Sequence, residues 1–333
     1  MAKGSLLYIT LGCAKNEVDT DRMRALLDAA DYQEVDSAQD ADAVVINTCS
    51  FLASATSESI ETTLALAEEV KEGVRAARII MCGCVPSRYG DQLPQELPEV
   101  SAFVRADEED GIVAVVDEVL GVERDMPSFI PNIKRTVEGS VAYVKISDGC
   151  DRFCSFCAIP YIRGRYHSRP ADRIIAEARE LVAGGVKEIV LIGQDTGIWG
   201  KDFKDQVDGP ANLAQLLVAL AEELRPQHVW IRVLYLQPEG MTGELIAAIR
   251  DTPEVLPYID IPVQQGYHNV IQFNRVLRTF DQRYFENAII QPDVFAGDPL
   301  KSSYRCGIGH HSEDKIIHDR SIAISNPHGI GTD

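Results

Sequence analysis

Three closely spaced cysteines are the strongest chemical signal in the sequence. Cys150, Cys154 and Cys157 form a Cys-x3-Cys-x2-Cys run. Three thiolates on one loop can hold three irons of a cubane [4Fe–4S] cluster and leave the fourth iron without a protein ligand. Zinc is the alternative because thiolates also bind zinc, but no second Cys-x2-Cys or His pair stands at the usual distance. The spacing therefore favours a cluster whose open iron can bind a small molecule.

A second set of three cysteines is spread over the first hundred residues. Cys13, Cys49 and Cys84 each follow an apolar run that predicts a strand. Because parallel neighbouring strands bring their carboxyl ends to one edge of a sheet, three distant residues can converge there. Convergence predicts a second cluster with three thiolate ligands. Each cysteine alone could be a buried small hydrophobe, which is our interpretation of Cys82, and Cys306 receives no role.

The elements that must position these cysteines alternate between strands and helices. Apolar runs predict N-terminal strands at Leu6–Leu11, Ala43–Ile46, Arg78–Met81 and Ala102–Val104. Amphipathic segments predict helices near Asp19–Ala30, Ser57–Glu72 and Gly111–Leu120. Strands separated by helices imply right-handed βαβ units in a parallel sheet. We therefore expect a flavodoxin-like α/β domain at residues 1–122, followed by a linker at 123–139.

A second series of strands and helices follows the linker. Its predicted strands are Val141–Ile146, Glu188–Ile192, Val229–Leu234 and Tyr258–Val263. Its predicted helices lie near Pro170–Ala183, Asn212–Glu223 and Thr242–Asp251. Four such repeats predict an incomplete (β/α) barrel at residues 140–264, with active-site groups at the carboxyl ends of the strands. Gln194 and Asp195 stand at one such end, whereas residues 265–333 show no sustained period and form an unassigned tail.

Charge and composition limit the classes of protein to which the chain can belong. The 333 residues carry a formal net charge of −19, which argues against broad nucleic-acid binding through phosphate neutralisation. The sequence contains no run of about 18 apolar residues, so we expect no membrane span. A chain without a secretion signal is expected to be cytoplasmic, where cysteines serve as metal ligands rather than disulfides.

The motifs around the cysteines resemble the radical S-adenosylmethionine (SAM) methylthiotransferase family, in the branch that modifies an aspartate of small-subunit ribosomal protein S-twelve. The resemblance covers about residues 6–264. It rests on Gly12-Cys13-Ala14-Lys15-Asn16, Asn47-Thr48-Cys49, Gly83-Cys84, the Cys150–Cys157 run with its aromatic Phe156, Arg163-Gly164-Arg165, Gly193-Gln194-Asp195 and Asp260-Ile261-Pro262.

The resemblance implies a complete set of cofactors and partners. SAM and two [4Fe–4S] clusters are the implied cofactors, and the implied partners are the ribosomal protein as substrate and a reducing electron donor. One cluster cleaves SAM to a radical that removes hydrogen from an unactivated carbon. The other cluster supplies the sulfur that carries the methyl group. The resemblance assigns the radical-SAM cluster to Cys150, Cys154 and Cys157 and the auxiliary cluster to Cys13, Cys49 and Cys84. Gln194 and Asp195 are candidate SAM contacts because of their position at a strand end, and the alternative is a strand-terminating turn with a capping Asp.

The end of the chain departs from the family pattern. After Gln264 we recognise neither the remaining barrel strands nor the C-terminal TRAM barrel, so we expect TRAM to be absent, and an inactive chain stays open beside an active enzyme. A frameshifted or rearranged gene end is one hypothesis for this change. Two alternatives for function stay open: a transfer-RNA 2-methylthioadenosine synthase, and a non-catalytic iron–sulfur or zinc-binding truncation product.

Several other residues have two interpretations. A basic cluster in this acidic chain could clamp a phosphate, a carboxylate or the cofactor, or could pair with neighbouring acids on a solvated face. The pair His310-His311 is too isolated to predict a metal site. The basic cluster comprises Arg163, Arg165, His167 and Arg169.

Overall fold

The computed structural model describes residues 2–71, 77–123, 134–155, 157–204 and 209–261, and the backbone of two further strands at 288–294 and 302–308. Predictions for Phe156, for residues 262–264 and for His310-His311 fall outside the described residues. Cys306 lies in the last of these strands, and its side chain is outside the description. Among the described residues, no helix combines the length and apolarity needed to cross a membrane.

The N-terminal lobe, residues 2–123 as described, is built on a five-stranded parallel sheet in the order β2-β1-β3-β4-β5. Its strands are β1 Gly4–Thr10, β2 Tyr32–Glu34, β3 Ala43–Thr48, β4 Arg78–Gly83 and β5 Ala102–Arg105. Its helices are α1 Ala14–Ala29, α2 Ala53–Lys71, α3 Cys84–Tyr89, α4 Leu93–Glu96 and α5 Ile112–Leu120. The predicted flavodoxin-like α/β class is confirmed.

The differences from the predicted elements have local causes. Strand β2 escaped prediction because only its first residue is buried, so three residues show no alternation. Helix α1 begins five residues before the predicted Asp19, because Lys15 and Asn16 in its first turn are polar and yet buried. Helix α3 was also missed, since its six residues include Pro86 and lie almost wholly inside the protein.

The N-terminal sheet is covered on both faces. All six residues of β3 are buried, as expected for the central strand of a parallel sheet. Val45 contributes to the core under α1 and α5, whereas Val44 and Ile46 contribute to the core under α2, α3 and α4. The carboxyl ends of β1, β3 and β4 therefore emerge side by side at one edge.

The second lobe, residues 134–261 as described, has a parallel sheet in the order β10-β9-β6. Its strands are β6 Val141–Lys145, β7 Ser147–Asp148, β8 His167–Ser168, β9 Glu188–Ile192, β10 Trp230–Val233 and β11 Tyr258–Ile261. Its helices are α6 Ile159–Ile162, α7 Ala171–Ala183, α8 Leu213–Leu224 and α9 Gly243–Asp251. The open sheet with covering helices confirms the predicted incomplete (β/α) barrel.

The fourth barrel strand pairs differently from the other three. Strand β11 pairs antiparallel with β13 Ser302–Ile308, which also pairs with β12 Ala288–Val294. The segments around β10 and β11 are linked by the isolated parallel bridge between Ile231 and Val255 and by hydrogen bonds that include the one from the amide of Leu236 to the carbonyl of Asp260, 3.0 Å. The tail thus contributes two strands that the sequence did not predict.

Helix α1 joins the two lobes. Val18 packs against Val190 and Ile192 of β9, and this contact forms a small apolar core between the sheets. Polar contacts flank it, since the guanidinium of Arg135 lies 3.0 Å from the carboxylate of Asp21. Cys13, one of the three N-terminal cysteines Cys13, Cys49 and Cys84, therefore stands at the N-terminus of α1. The side of the same helix forms the interface with the second lobe.

Truncation of a buried leucine in α8 should destabilise the second lobe. Leu217 is fully buried, whereas its neighbour Val218 is 38% exposed. We expect Leu217→Ala to lower the free energy of unfolding by about 2–5 kcal/mol, because it loses apolar burial and leaves a cavity. Val218→Ala, the matched control, should change it by less than about 0.5 kcal/mol. Urea unfolding followed by circular dichroism measures both, and equal losses would contradict this packing.

Candidate functional site

The first cysteine trio, Cys13, Cys49 and Cys84, lies at one edge of the N-terminal sheet. Cys13 is the N-cap of α1, Cys49 directly follows β3, and Cys84 is the first residue of α3 after β4. Since β1, β3 and β4 are adjacent and parallel, their following residues share this edge. Residues separated by up to 71 positions are brought together by topology alone.

Two glycines allow the backbone to approach closely at this edge. Gly12 has φ +103°, and a Cβ placed there would lie 2.5 Å from Cβ and 3.1 Å from Sγ of Cys49. Gly83 has φ +91°, and its added Cβ would lie 2.2 Å from Oδ1 of Asn47. Only glycine fits both the positive φ and the space. The residues before Cys13 and Cys84 are therefore fixed in type by the packing around the trio.

A buried amide network holds the trio from beneath. The side chain of Asn16 donates to Oδ1 of Asn47 at 3.1 Å, and Asn47 donates back to the Asn16 carbonyl at 3.0 Å. The thiol of Cys13 lies 3.5 Å from Oδ1 of Asn16. The hydroxyl of Ser59 accepts from the amide of Cys49 at 3.1 Å and donates to its carbonyl at 3.0 Å. The buried hydroxyl of Ser59 thus holds the backbone of Cys49, and the paired amides of Asn16 and Asn47 connect the start of α1 to the end of β3.

Burial disfavours the thiolate form of two cysteines of the trio, Cys49 and Cys84, in the metal-free protein. It raises the pKa of the Cys84 thiol to about 11, and the nearby Arg163 guanidinium opposes this shift. Burial also raises the pKa of Cys49, with the neighbouring Cys13 thiol adding to the shift. Metal ligation requires thiolates, so a metal bound here would displace protons. The all-sulfur donor set suits a soft metal or an iron–sulfur cluster.

The second cysteine trio, Cys150, Cys154 and Cys157, lies on the loop after β7. Gly149 has φ +74°, and its added Cβ would lie 2.1 Å from the carbonyl oxygen of Arg165, so the loop passes against the α6–β8 connection. Cys150 is buried, and its amide donates to the carbonyl of Gly164 at 3.2 Å. The other two cysteines are half-buried, and the Cys157 amide donates to the Cys154 carbonyl at 2.9 Å. The trio thus runs from the interior towards the surface.

Gln194 and Asp195 follow β9 after the single residue Gly193, and they contact Asp148 and Arg152 at the second-trio loop. The carboxylate of Asp195 is fully buried, and its Oδ2 accepts from Nε of Arg152 at 2.6 Å. The side chain of Gln194 donates to Oδ1 of Asp148 at 2.8 Å. The remaining oxygens, Oδ1 of Asp195 and Oε1 of Gln194, have no hydrogen-bond partner among the described residues. Buried acceptors of this kind call for a donor from a ligand or an ordered water.

The residues that sequence analysis missed lie between the two trios. Asp19 accepts from Nζ of Lys145 at 2.5 Å and from Arg163 at 2.6 Å, and Lys145 also contacts Asp148 at 2.7 Å. The sequence carried a partial signal for this network, since Lys145 interrupts the apolar run of the predicted strand Val141–Ile146. Lone charges in such segments indicate buried pairs, but the partner of each cannot be read from one sequence.

The basic cluster does not act as one unit. Arg163 is buried in the network with Asp19, whereas the side chain of Arg165 is 73% exposed and contacts Asp151 at 3.0 Å. Arg169 lies 2.7 Å from Glu177. Of the two interpretations of the basic cluster, pairing with neighbouring acids is therefore the one that the three arginines follow. His167 is exposed, with a ring nitrogen 3.4 Å from the carbonyl of Arg165.

Lys15 is a further buried cation beside the first trio. Its Nζ lies 3.0 Å from the ring centroid of Tyr235, in the second lobe. Burial lowers the pKa of Lys15 to about 8, against the opposing effect of the Cys13 thiol. Tyr235 itself has φ +61°, an uncommon conformation for a residue with a side chain. The start of α1 is thus anchored to the loop after β10.

Each trio offers three thiols, a donor set that zinc and iron–sulfur clusters both accept. A structural zinc site needs its ligands around one point. In a cubane cluster each thiolate binds a different iron, so the ligands stand further apart. Within the described residues, no three or more Cys, His, Asp or Glu side chains are gathered closely enough to hold one metal ion.

Two family models match the chain. The model described as "Uncharacterized protein family UPF0004" matches residues 5–105, and that of the radical SAM superfamily matches residues 144–289. The first match includes the first cysteine trio, and the second match includes the second trio together with Gln194 and Asp195.

Curated relatives extend these matches over most of the chain. A protein named ribosomal protein uS12 methylthiotransferase RimO from Synechococcus sp. (strain WH7803) is 40% identical over 279 residues, which cover 81% of this chain and 57% of the relative. The protein of the same name from Gloeothece citriformis (strain PCC 7424) is 37% identical over 327 residues, covering 95% and 71% respectively. The chain thus spans little more than half the length of several such relatives.

Solved structures support the fold. A cobalamin-dependent SAM radical enzyme, OxsB, covers 83% of this chain and 47% of its own with a TM-score of 0.53 and 12% identity. The radical SAM methyltransferase TsrM from Kitasatospora setae covers 85% and 68% with a TM-score of 0.55 and 12% identity. At this identity the likeness concerns the fold alone.

Replacement of Gly83 should disturb the edge that carries Cys84. We expect Gly83→Ala to lower the free energy of unfolding of the metal-free protein by at least about 3 kcal/mol, since the positive φ costs about 1–2 kcal/mol and Asn47 must also move. Gly121→Ala is the matched control, because Gly121 has φ +67° but open space around it. Gly121→Ala should therefore lower the free energy of unfolding only by the cost of the positive φ, about 1–2 kcal/mol. Urea denaturation compares the two, and equal costs would show that Asn47 does not restrict this position.

Proposed function

The chain belongs to the RimO-type family of ribosomal protein uS12 methylthiotransferases, and on that premise we propose that it attaches a methylthio group to an aspartate of that ribosomal protein by radical SAM chemistry. One observation carries the proposal. Two cysteine trios, one at an edge of the N-terminal parallel sheet and the other on the loop after β7 in the second lobe, are joined by a buried polar network at a single interface. Such an arrangement suits a reaction that needs two metal centres.

The second trio, with SAM, would form the radical-generating centre. Its cysteines would hold a [4Fe–4S] cluster, which supplies one electron for cleavage of the SAM sulfonium. The protein contributes the buried acceptors beside it. Asp195 and Gln194 each offer an oxygen without a protein partner to hydrogen-bond donors of the cofactor. Arg152, at 2.6 Å, keeps the Asp195 carboxylate charged and oriented against a burial effect that raises its pKa.

The first trio would hold the auxiliary [4Fe–4S] cluster, which provides the site for the sulfur that is transferred. The protein fixes that site through the amide pair Asn16 and Asn47 and through Ser59. Because these side chains are buried and paired with each other, they leave the thiols as the reactive groups at this edge.

In net terms the proposed reaction replaces one C–H bond of the aspartate side chain by a C–S bond. The hydrogen leaves in 5′-deoxyadenosine, formed with methionine when the first SAM accepts one electron. That electron comes from an external reducing donor. The C–S bond would form between the resulting carbon radical and a sulfide-level sulfur held at the first trio, and the one electron released in that step would pass to the auxiliary cluster. A second SAM supplies the methyl group on the sulfur and leaves as S-adenosylhomocysteine.

Iron content and product analysis of the full chain test the proposal. After anaerobic reconstitution we expect about eight irons per chain, formation of 5′-deoxyadenosine, and a methylthio mass increase on ribosomal protein uS12. Cys84→Ala should reduce the iron towards about four per chain. Cys82→Ala, the matched control two residues away, should retain the full count because Cys82 is buried in β4 within the apolar core.

Three results would contradict parts of this proposal. Iron near about four per chain in the unmodified protein would remove the auxiliary cluster. Clusters without 5′-deoxyadenosine would indicate a non-catalytic iron–sulfur protein. A mass increase on transfer RNA instead of the ribosomal protein would move the substrate to the other branch of the family.

Removal of the Asp195 charge should weaken SAM binding. A hydrogen bond to a charged group contributes about 1.5–3 kcal/mol, so Asp195→Asn should raise the Kd for SAM by about 10- to 100-fold. Glu239→Gln is the control, since Glu239 also contacts Arg152, at 3.0 Å, from a partly exposed position. Equilibrium dialysis with reconstituted protein gives both constants. An unchanged Kd in Asp195→Asn would exclude Asp195 from the cofactor site.

A further inference from the structure

One arginine of the second lobe reaches across the interface to a cysteine of the first. Arg163 directly follows α6, and its side chain is 3% exposed. Its Nη1 lies 2.6 Å from Oδ2 of Asp19, and its Nη2 lies 3.2 Å from Oδ1 of Asn16. The same Nη2 donates to Sγ of Cys84 at 3.5 Å. The guanidinium thus forms a fork, with the Asp19 carboxylate on one nitrogen and a first-trio sulfur near the other.

The surrounding charges hold this fork in place. Arg163 and Lys145 are the two cations of the network, and Asp19 and Asp148 are the two anions. A buried cation is costly unless it is paired and hydrogen-bonded, and Asp19 meets that need. The pKa of Arg163 is accordingly raised by Asp19 and Cys84 against the effect of burial. Arg163 is therefore charged and oriented before any metal binds.

The network also reaches the second trio. Nη1 of Arg163 lies 3.6 Å from Oδ2 of Asp148, whose other oxygen accepts from the amide of Gly149 at 2.9 Å and from Gln194 at 2.8 Å. Gly149 directly precedes Cys150. A single guanidinium therefore contacts a sulfur of one trio and the carboxylate that organises the loop of the other.

The geometry points to Arg163 as a positioning residue that donates a charge-assisted hydrogen bond to the Cys84 thiolate and raises the reduction potential of the auxiliary cluster. The inference rests on the proposed function, because it requires a cluster on the first trio. Reduction adds negative charge to a cluster, and a cationic donor at a ligand sulfur stabilises that charge. Because the donor comes from the second lobe, the potential depends on docking of the two lobes.

Redox titration of the auxiliary cluster alone tests this role. The background is the full chain with all three second-trio cysteines replaced by alanine, so that one cluster gives the electron paramagnetic resonance signal. We expect Arg163→Met to shift the midpoint potential to more negative values. Arg163→Lys keeps the charge but loses the planar fork, so it should shift the potential in the same direction by a smaller amount. Arg165→Met, the matched control on an exposed arginine two residues away, should leave it unchanged.

Asp19→Asn separates the hydrogen bond to sulfur from a purely structural role. This variant breaks the same interface ion pair as Arg163→Met but keeps the donor to Cys84 and removes a negative charge. We therefore expect its midpoint potential to rise. If the interface pair merely held the lobes together, Asp19→Asn and Arg163→Met would shift the potential in the same direction.

The outcomes distinguish the inference from the function on which it rests. A background protein that binds no iron overturns the auxiliary cluster and, with it, the role of Arg163. A cluster whose potential is the same with Arg163, methionine or lysine overturns the role of Arg163 and leaves the proposed function standing. Circular dichroism of each variant identifies any that fails to fold, in which case Arg163→Lys carries the comparison.

Discussion

The structure depends on the burial of opposite charges where α1 meets the second lobe. Asp19 lies between Lys145 and Arg163, and each of the three side chains is at most 15% exposed. A cation left alone there would cost several kcal/mol, so each partner requires the others. The carboxylate of Asp19 thereby fixes both the orientation of α1, which starts at the first cysteine trio, and the end of β6, which leads into the second.

These buried ion pairs bring the two cysteine trios, which belong to different lobes, to one interface. A parallel sheet gathers residues at the carboxyl ends of its strands, and each lobe uses that edge for its own trio. The edges meet because Val18 packs against Val190 and Ile192 beside the charged network. The apolar packing stabilises the contact between the lobes, whereas the paired charges fix the position of one lobe relative to the other. The loop after β10 adds a third contact through Lys15 and Tyr235.

The sequence predicted what depends on local pattern and failed where distant partners decide. Every predicted strand of residues 2–261 has a counterpart, because buried parallel strands are continuous apolar runs such as Ala43–Thr48. The grouping of the first trio followed from strand order alone. The burial of Arg163 did not, since an arginine in a basic cluster usually belongs to a solvated surface. The pairing of β11 with β13 was also beyond prediction, because it joins segments more than forty residues apart with no shared period.

Some polar side chains of the site have hydrogen-bond partners within the protein, whereas others keep an oxygen without such a partner among the described residues. Asn16 and Asn47 are hydrogen-bonded to each other, Ser59 is hydrogen-bonded to the backbone of Cys49, and Oδ1 of Asn16 also accepts from Arg163, so each of these side chains already has protein partners. Asp195 and Gln194 each keep one buried oxygen without a partner in the described part of the chain. Unsatisfied buried acceptors destabilise a folded protein by about 1–3 kcal/mol each. A ligand that supplies hydrogen-bond donors to these oxygens recovers this energy on binding. Metal binding to the thiols likewise stabilises the folded protein, because the metal favours the thiolate form that burial alone disfavours. Occupancy of both trios should therefore stabilise the fold as well as provide the chemistry.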